Sequence, residues 1–263
     1  MNFAEGDVKI FQLAAFVNAT KGTADGAQIE TVNIARTLDG LQLGTLNVIQ
    51  DGLGGQIGTV NLAAGKMQGL QLGVINLTGG AMKGVQIGVI NLADDLDGVQ
   101  LGVLNATAKG LMHAGTWIDE TGMAYVTLTT GARWWYSYYT FGYNPYVTEE
   151  PYSFGGGMGG QIKVRDRLFF EIDAGAMGVT TEKDEIRANL SDRPYNIHSR
   201  MRGMVGIKLA PGVWIYGGAS FNVLYHDTDD PVLIRPRGDY AKRTGDHVLM
   251  WPGFIGGIRF GRS

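Results

Sequence analysis

The chain has no cysteine, which removes disulfides, thiolate metal sites and cysteine nucleophiles together. That fits a cytosolic protein, and equally an exported Gram-negative one that avoids oxidative mispairing. No run approaches the roughly 18 apolar residues of a transmembrane helix, although a membrane β-barrel leaves no such run either. Met1-Asn-Phe-Ala-Glu5 has neither the basic n-region nor the apolar h-region of a signal peptide. Either the protein stays inside, or a signal has been removed. A net charge of −3 gives no reason to expect a nucleic-acid partner. Aromatics are nearly missing from the first part: before residue 108 there are only Phe3, Phe11 and Phe16, and all 5 Trp and 11 Tyr come later. That shift marks a boundary near 108–110. It divides the chain into a lead-in (1–8), a repeat region (9–107) and an aromatic region (108–263).

Glycine is abundant, 41 of 263 residues and about twice average usage. With only 7 prolines and no collagen period, these glycines punctuate strands and turns. Many fall in one repeated phrase, clearest as Gly69-Leu-Gln-Leu-Gly-Val-Ile-Asn-Leu77 and Gly84-Val-Gln-Ile-Gly-Val-Ile-Asn-Leu92. The Gln recurs at Gln12, Gln28, Gln42, Gln56, Gln71, Gln86 and Gln100. The Asn recurs at Asn18, Asn33, Asn47, Asn61, Asn76, Asn91 and Asn105. A spacing of 14 to 16 residues suits one coil of a β-solenoid and is too short for a helical pair.

Apolar residues flank nearly every Gln and Asn, at i, i+2, i+5 and i+7. This predicts two short strands whose phase slips at a corner, set at Gly44, Gly58, Gly73, Gly88 and Gly102. The flanking apolar residues are expected inside, with the Gln and Asn columns forming amide ladders between coils. On that assignment an aspartate at Ile90 would bury a charge and cost several kcal/mol. Gly-x-Gln-x-Gly-x-x-Asn resembles the unit of the bacterial surface-repeat family first described from leptospiral genomes, over about 9–107. The resemblance implies an envelope or surface location and assigns no catalytic residue.

After residue 110 the alternating segments are longer, with strands predicted at 111–118, 123–136, 154–164, 167–179, 197–209, 213–225 and 248–260. Tight turns at 119–122, 165–167 and 210–212 alternate with long polar connections at 139–153, 180–196 and 226–247. That is the pattern of an outer-membrane barrel. Seven strands is odd for such a barrel, so an eighth is expected, from the last repeat or from a long loop. The run from Trp134 to Tyr143 suggests an interfacial aromatic girdle. Glu171, Asp173, Arg202, Lys208 and Arg259, with Lys163 and Arg133, are expected to face one plugged lumen.

The competing chemistry is thin. Glu171 and Asp173 share the residue types of paired acid–base carboxylates. His113, His198, His226 and His247 show no metal-ligand spacing, though His226 and His247 bracket one loop. Ser220 lacks a Gly-x-Ser-x-Gly elbow. The cluster Asp227, Asp229, Asp230 is a fragment of a calcium loop, and Arg237-Gly238-Asp239 an adhesion-type tripeptide. The Gly-rich 154–160 lacks the Lys-Ser/Thr of a phosphate loop.

The expectation is an all-β, non-enzymatic outer-membrane or surface structural or binding protein without cofactor. It would comprise a β-solenoid of about seven coils and an antiparallel barrel of about eight strands. Membrane lipid is the expected partner, and a surface ligand or protein is left unidentified. Alternatives are a pore or transporter built as one barrel of about fourteen strands, and a lipid-modifying outer-membrane enzyme.

Overall fold

The computed structural model describes residues 1–132, 134–147, 151–180, 196–226, 234, 236 and 240–262. Arg133, the Asp227–Asp230 cluster and Arg237-Gly238-Asp239 lie outside them. Two compact units result: Met1–Leu111 with Thr130–Trp135, and Met112–Thr129 with Tyr136–Ser263.

The first unit is a parallel β-solenoid. Each coil pairs in register with the next, Gln on Gln and Asn on Asn, as in Gln42↔Gln56 and Asn33↔Asn47. Coiling begins earlier than the repeat spacing suggests: Asn2–Ala4 pairs with Asn18–Thr20, so 1–8 belongs to the first coil. Two bends recur. At one, Gly40, Gly54, Gly69 and Gly84 take positive φ. The other is the predicted corner: a Cβ at Gly44 would run into the carbonyl of Glu30 and the amide of Asn33. Glycine is required there by space.

The inward assignment is reversed. Gln28, Gln42, Gln56, Gln71, Gln86 and Gln100 are buried, as are Asn33, Asn47, Asn61, Asn76, Asn91 and Asn105. Each coil points four side chains inward: the Asn, the residue two on, a small or apolar residue after the turn, and the Gln. Asn47, Ile49, Gly52 and Gln56 form one such set, Asn61, Ala63, Met67 and Gln71 the next. Bulk trades between the middle two positions, Ile49 with Gly52 and Ala63 with Met67. The flanking Val, Leu and Ile face outward: Ile29, Ile34, Leu72 and Ile87 are exposed, and Ile90 is half-buried on the outer side. Alternation defines two faces but does not say which is interior. Here the amides win the interior because each finds a partner one coil away.

The second unit is an antiparallel barrel of eight strands. They are Leu111–Asp119, Ala124–Gly131, Trp135–Tyr143, Tyr152–Arg165, Leu168–Thr180, Asn196–Ala210, Val213–Tyr225 and Val248–Arg262. The first pairs with the last, from Met112↔Arg262 to Asp119↔Ile255, and closes the cylinder. The missing strand is Trp135–Tyr143. The stretch 123–136 is two strands, split after Gly131. The barrel closes without the repeats, whose coils pair parallel with one another, so the fourteen-strand alternative is not the fold formed.

The girdle expectation also changes. Trp135–Tyr143 runs from one barrel end to the other, and Tyr136 and Tyr138 are buried inside. Gly157 and Gly159 of the Gly-rich strand leave the space their rings fill. Short connections at 132–134, 166–167 and 211–212 lie at the end where the barrel strands begin and finish. The longer connections join strands at the other. The tight turn at 120–123, expected with the short ones, lies instead at that other end, where Trp135–Tyr143, Leu168–Thr180 and Val213–Tyr225 finish.

The reversed solenoid yields a contrast between two variants. Asn76→Ala removes donors to Asn91 Oδ1 and Ile87 O and the acceptor for Asn61, each orphaned group costing about 1–3 kcal/mol. Amide hydrogen exchange across 61–105 should accelerate roughly a hundredfold. Ile90→Asp, on the outer face, should shift it by less than about fivefold. The opposite ranking would restore the apolar interior.

Candidate functional site

The two ladders are continuous. Each Gln donates from Nε2 to the Gln of the preceding coil at 2.6–2.9 Å. Each Asn from Asn18 to Asn91 donates from Nδ2 to the Asn of the following coil at 2.8–3.2 Å. The same Nδ2 also bonds the carbonyl before the glycine corner of the following coil, as Asn33 to Leu43 O at 2.8 Å and Asn76 to Ile87 O at 2.9 Å. Each Asn therefore fixes a corner as well as a rung. With the ladder amides buried and bonded from coil to coil, Asn18 Oδ1 at the first rung excepted, the columns are structural and offer no ligand-binding stripe.

In the barrel, the alternation that turns apolar residues outward turns ionisable ones inward. Arg202 holds Asp173 through two bonds, Nε to Oδ1 at 2.7 Å and Nη2 to Oδ2 at 2.9 Å. Tyr136 Oη donates to the same carboxylate at 3.0 Å. The Arg202 guanidinium lies 4.4 Å from the Tyr138 ring centroid and 4.9 Å from that of Trp117. Arg259 Nη1 donates to Glu171 Oε1 at 2.6 Å, and Gln161 Nε2 to the same oxygen at 2.7 Å. Glu171 and Asp173 are thus each neutralised by an arginine, an arrangement that does not leave one acid and one base. Lys208 sits at the short-turn end, 5.8 Å from the Trp214 ring centroid, and makes no ion pair among the described residues.

A third cluster was not legible as a site. Arg200 Nη2 donates to Asp119 Oδ2 at 2.6 Å, and Thr121 and Tyr125 hold the same carboxylate. Glu120 accepts from Trp251 Nε1 at 2.5 Å and from Asn222 Nδ2 at 3.1 Å. His198 Nε2 faces Asn222 Oδ1 at 3.1 Å, an oxygen that also accepts from Arg200 Nε. Asp119 and Glu120 look like ordinary turn residues in sequence. Arg200 could have been found, since it shares strand parity with Arg202.

Ser220 Oγ accepts from Asn222 Nδ2 at 3.0 Å, and the described residues show no serine–histidine bond. His226 and His247 do meet, with ring centroids 6.2 Å apart and backbone pairing between them. No group of three metal-ligating side chains is found among the described residues. Mid-lumen space amounts to about 30 Å³, lined by His113, Trp117, Asp173 and Arg202 among others. That is room for a water or two. Comparison with family models, curated proteins and solved structures gave no match.

The lumen pairs carry a stability prediction. Asp173→Ala strands the buried Arg202 guanidinium and should cost about 3–5 kcal/mol, while adding Arg202→Met should recover most of it. Urea midpoints of the folded barrel, read by tryptophan fluorescence, test this. Equal midpoints for the single and double variants would mean that the pair is not buried as described.

Proposed function

We propose that this chain is a non-enzymatic bacterial outer-membrane protein, a barrel anchored in lipid joined to a structural or binding solenoid. One observation carries the reading. Between the strand ends, where Arg165 is exposed beside Leu168, no described Asp, Glu, Lys or Arg of the eight strands faces outward. The outer surface presents Ile118, Val126, Phe154, Ile172, Met201 and Phe254, while Glu171, Asp173, Arg200, Arg202 and Arg259 are inside. A soluble barrel has no reason to invert its polarity in this way, whereas hydrocarbon demands it. Strands of 9–15 residues, with the exception of the 8-residue Ala124–Gly131, meet the length needed to cross. Exposed Tyr143, Tyr146, Tyr225 and Tyr240 gather toward the long-loop end, in keeping with an interfacial belt.

The solenoid supports the structural or binding half. Residues 40–49, 54–63, 69–78, 84–93 and 98–107 contain no charge, so the outer sides of the two arms stay apolar over five coils. Exposed charges such as Lys21, Arg36, Asp51, Lys66 and Lys83 collect at the turn side instead. At about 4.8 Å per coil and two arms of about 13 Å, the apolar area is on the order of 600 Å². That is at the top of what a soluble monomer exposes. The likeness of the repeat unit to the leptospiral surface-repeat family favours the envelope as the location. The filled lumen argues against a conducting pore.

Two readouts test the proposal. Purified protein should need detergent for solubility, and its electrophoretic mobility should change on boiling. In planar bilayers it should give no discrete conductance steps. Detergent-free monodispersity with unchanged mobility would make the second unit a soluble barrel, and steady single-channel steps would make it a pore.

A further inference from the structure

We infer that the short-turn mouth of the barrel is a binding site for a phosphate-bearing anion. A cavity of about 320 Å³ opens there, and Lys163, Arg165, Arg167, Lys208 and Arg259 line it with Asp166 as its one carboxylate. A local excess of cations in a chain of net charge −3 is a concentration against the overall sign. Its floor is Arg259, which is 7% exposed. Nη1 of this residue is taken by Glu171, while Nε and Nη2 have no hydrogen-bond partner among the described residues. The guanidinium is stacked 4.1 Å from the Phe169 ring centroid, which holds the plane in place. A buried arginine with two unused donors beside a solvent-reaching cavity is a half-built oxyanion fork.

The backbone supports the same conclusion. Pairing slips between Lys163 and Arg165 on one side and between Lys208 and Ala210 on the other. Such bulges re-aim side chains at barrel rims. Lys208 N also bonds Arg167 O at 2.8 Å, tying the two cationic strand ends together. The volume is at the lower bound for small-molecule pockets, suited to a phosphate group with a short substituent. Two sources share this chemistry, a free phosphate and a phospholipid headgroup at the membrane surface. The site belongs to the barrel alone and does not depend on the barrel being in lipid.

Trp214 lines the cavity and supplies a reporter. In a zwitterionic detergent, one arm titrates inorganic phosphate against tryptophan fluorescence. The other titrates phosphatidylglycerol into the same micelles, with phosphatidylcholine as the control. Wild-type protein should show a saturable change in at least one arm, not reproduced by equal chloride or phosphatidylcholine. Saturation by phosphate alone assigns a free anion; saturation by phosphatidylglycerol alone assigns a headgroup. Arg167→Gln with Lys208→Gln, both at the rim, should weaken binding tenfold or more while leaving heat-dependent mobility or solubility as in wild type. Arg259→Lys, which keeps charge but loses the fork, should weaken it less. Absence of saturable binding in both arms, or unchanged affinity in the rim double variant, would overturn the site.

Discussion

Polar side chains buried in both units must find partners inside, and that constraint shapes the rest. In the solenoid the partner is a translated copy. Identical amides one coil apart offer each other a donor and an acceptor, so a column of Gln or Asn satisfies itself at any length. The consequence reaches the backbone. Asn33, Asn47 and their equivalents spend a second bond on the carbonyl before the corner, and their amides occupy the space a Cβ would take at Gly44 or Gly58. Gly, Gln and Asn in the repeat are therefore one device. Losing any of them opens a buried bond.

The barrel solves the same problem without translation. Its interior charges are matched pair by pair, Arg200 with Asp119, Arg202 with Asp173, Arg259 with Glu171. Aromatic rings on neighbouring strands sandwich the guanidinium groups, and Trp117 stacks on Tyr125 at 3.8 Å beneath Arg200. Buried pairs of this kind add little net stability over an apolar core but penalise any misregistered strand heavily. They also free the outer surface between the strand ends of charge, which is the property that suits lipid.

Much of the architecture was legible because repetition is a strong signal. The Gln and Asn columns gave coil length, parallel stacking and the ladders, and alternation with unequal loops gave the barrel. Polarity in the solenoid was not legible. Val60-Asn61-Leu62 alternates equally well with either face inside, and the habit of placing apolar residues inward chose wrongly. The eighth strand was hidden because Ala132-Arg133-Trp134 carries none of the Gly, Pro, Asn or Asp that mark turns. Among the lumen residues, Glu171, Asp173, Arg202 and Arg259 stood out as charges on otherwise apolar strands. Asp119 and Glu120 did not, since a turn at a strand end is where acidic residues are ordinarily solvated.

The central claim is that the charge-free belt of the barrel faces hydrocarbon. Because the chain lacks cysteine, any introduced one is a unique attachment point. Spin labels at Phe170→Cys, Ile172→Cys and Ala174→Cys, in protein reconstituted into liposomes, should collide readily with dissolved oxygen and poorly with a water-soluble nickel chelate. A label at Tyr146→Cys, in the 144–151 connection, should do the reverse. Chelate access at Ile172 equal to that at Tyr146 would put the belt in water and contradict the account.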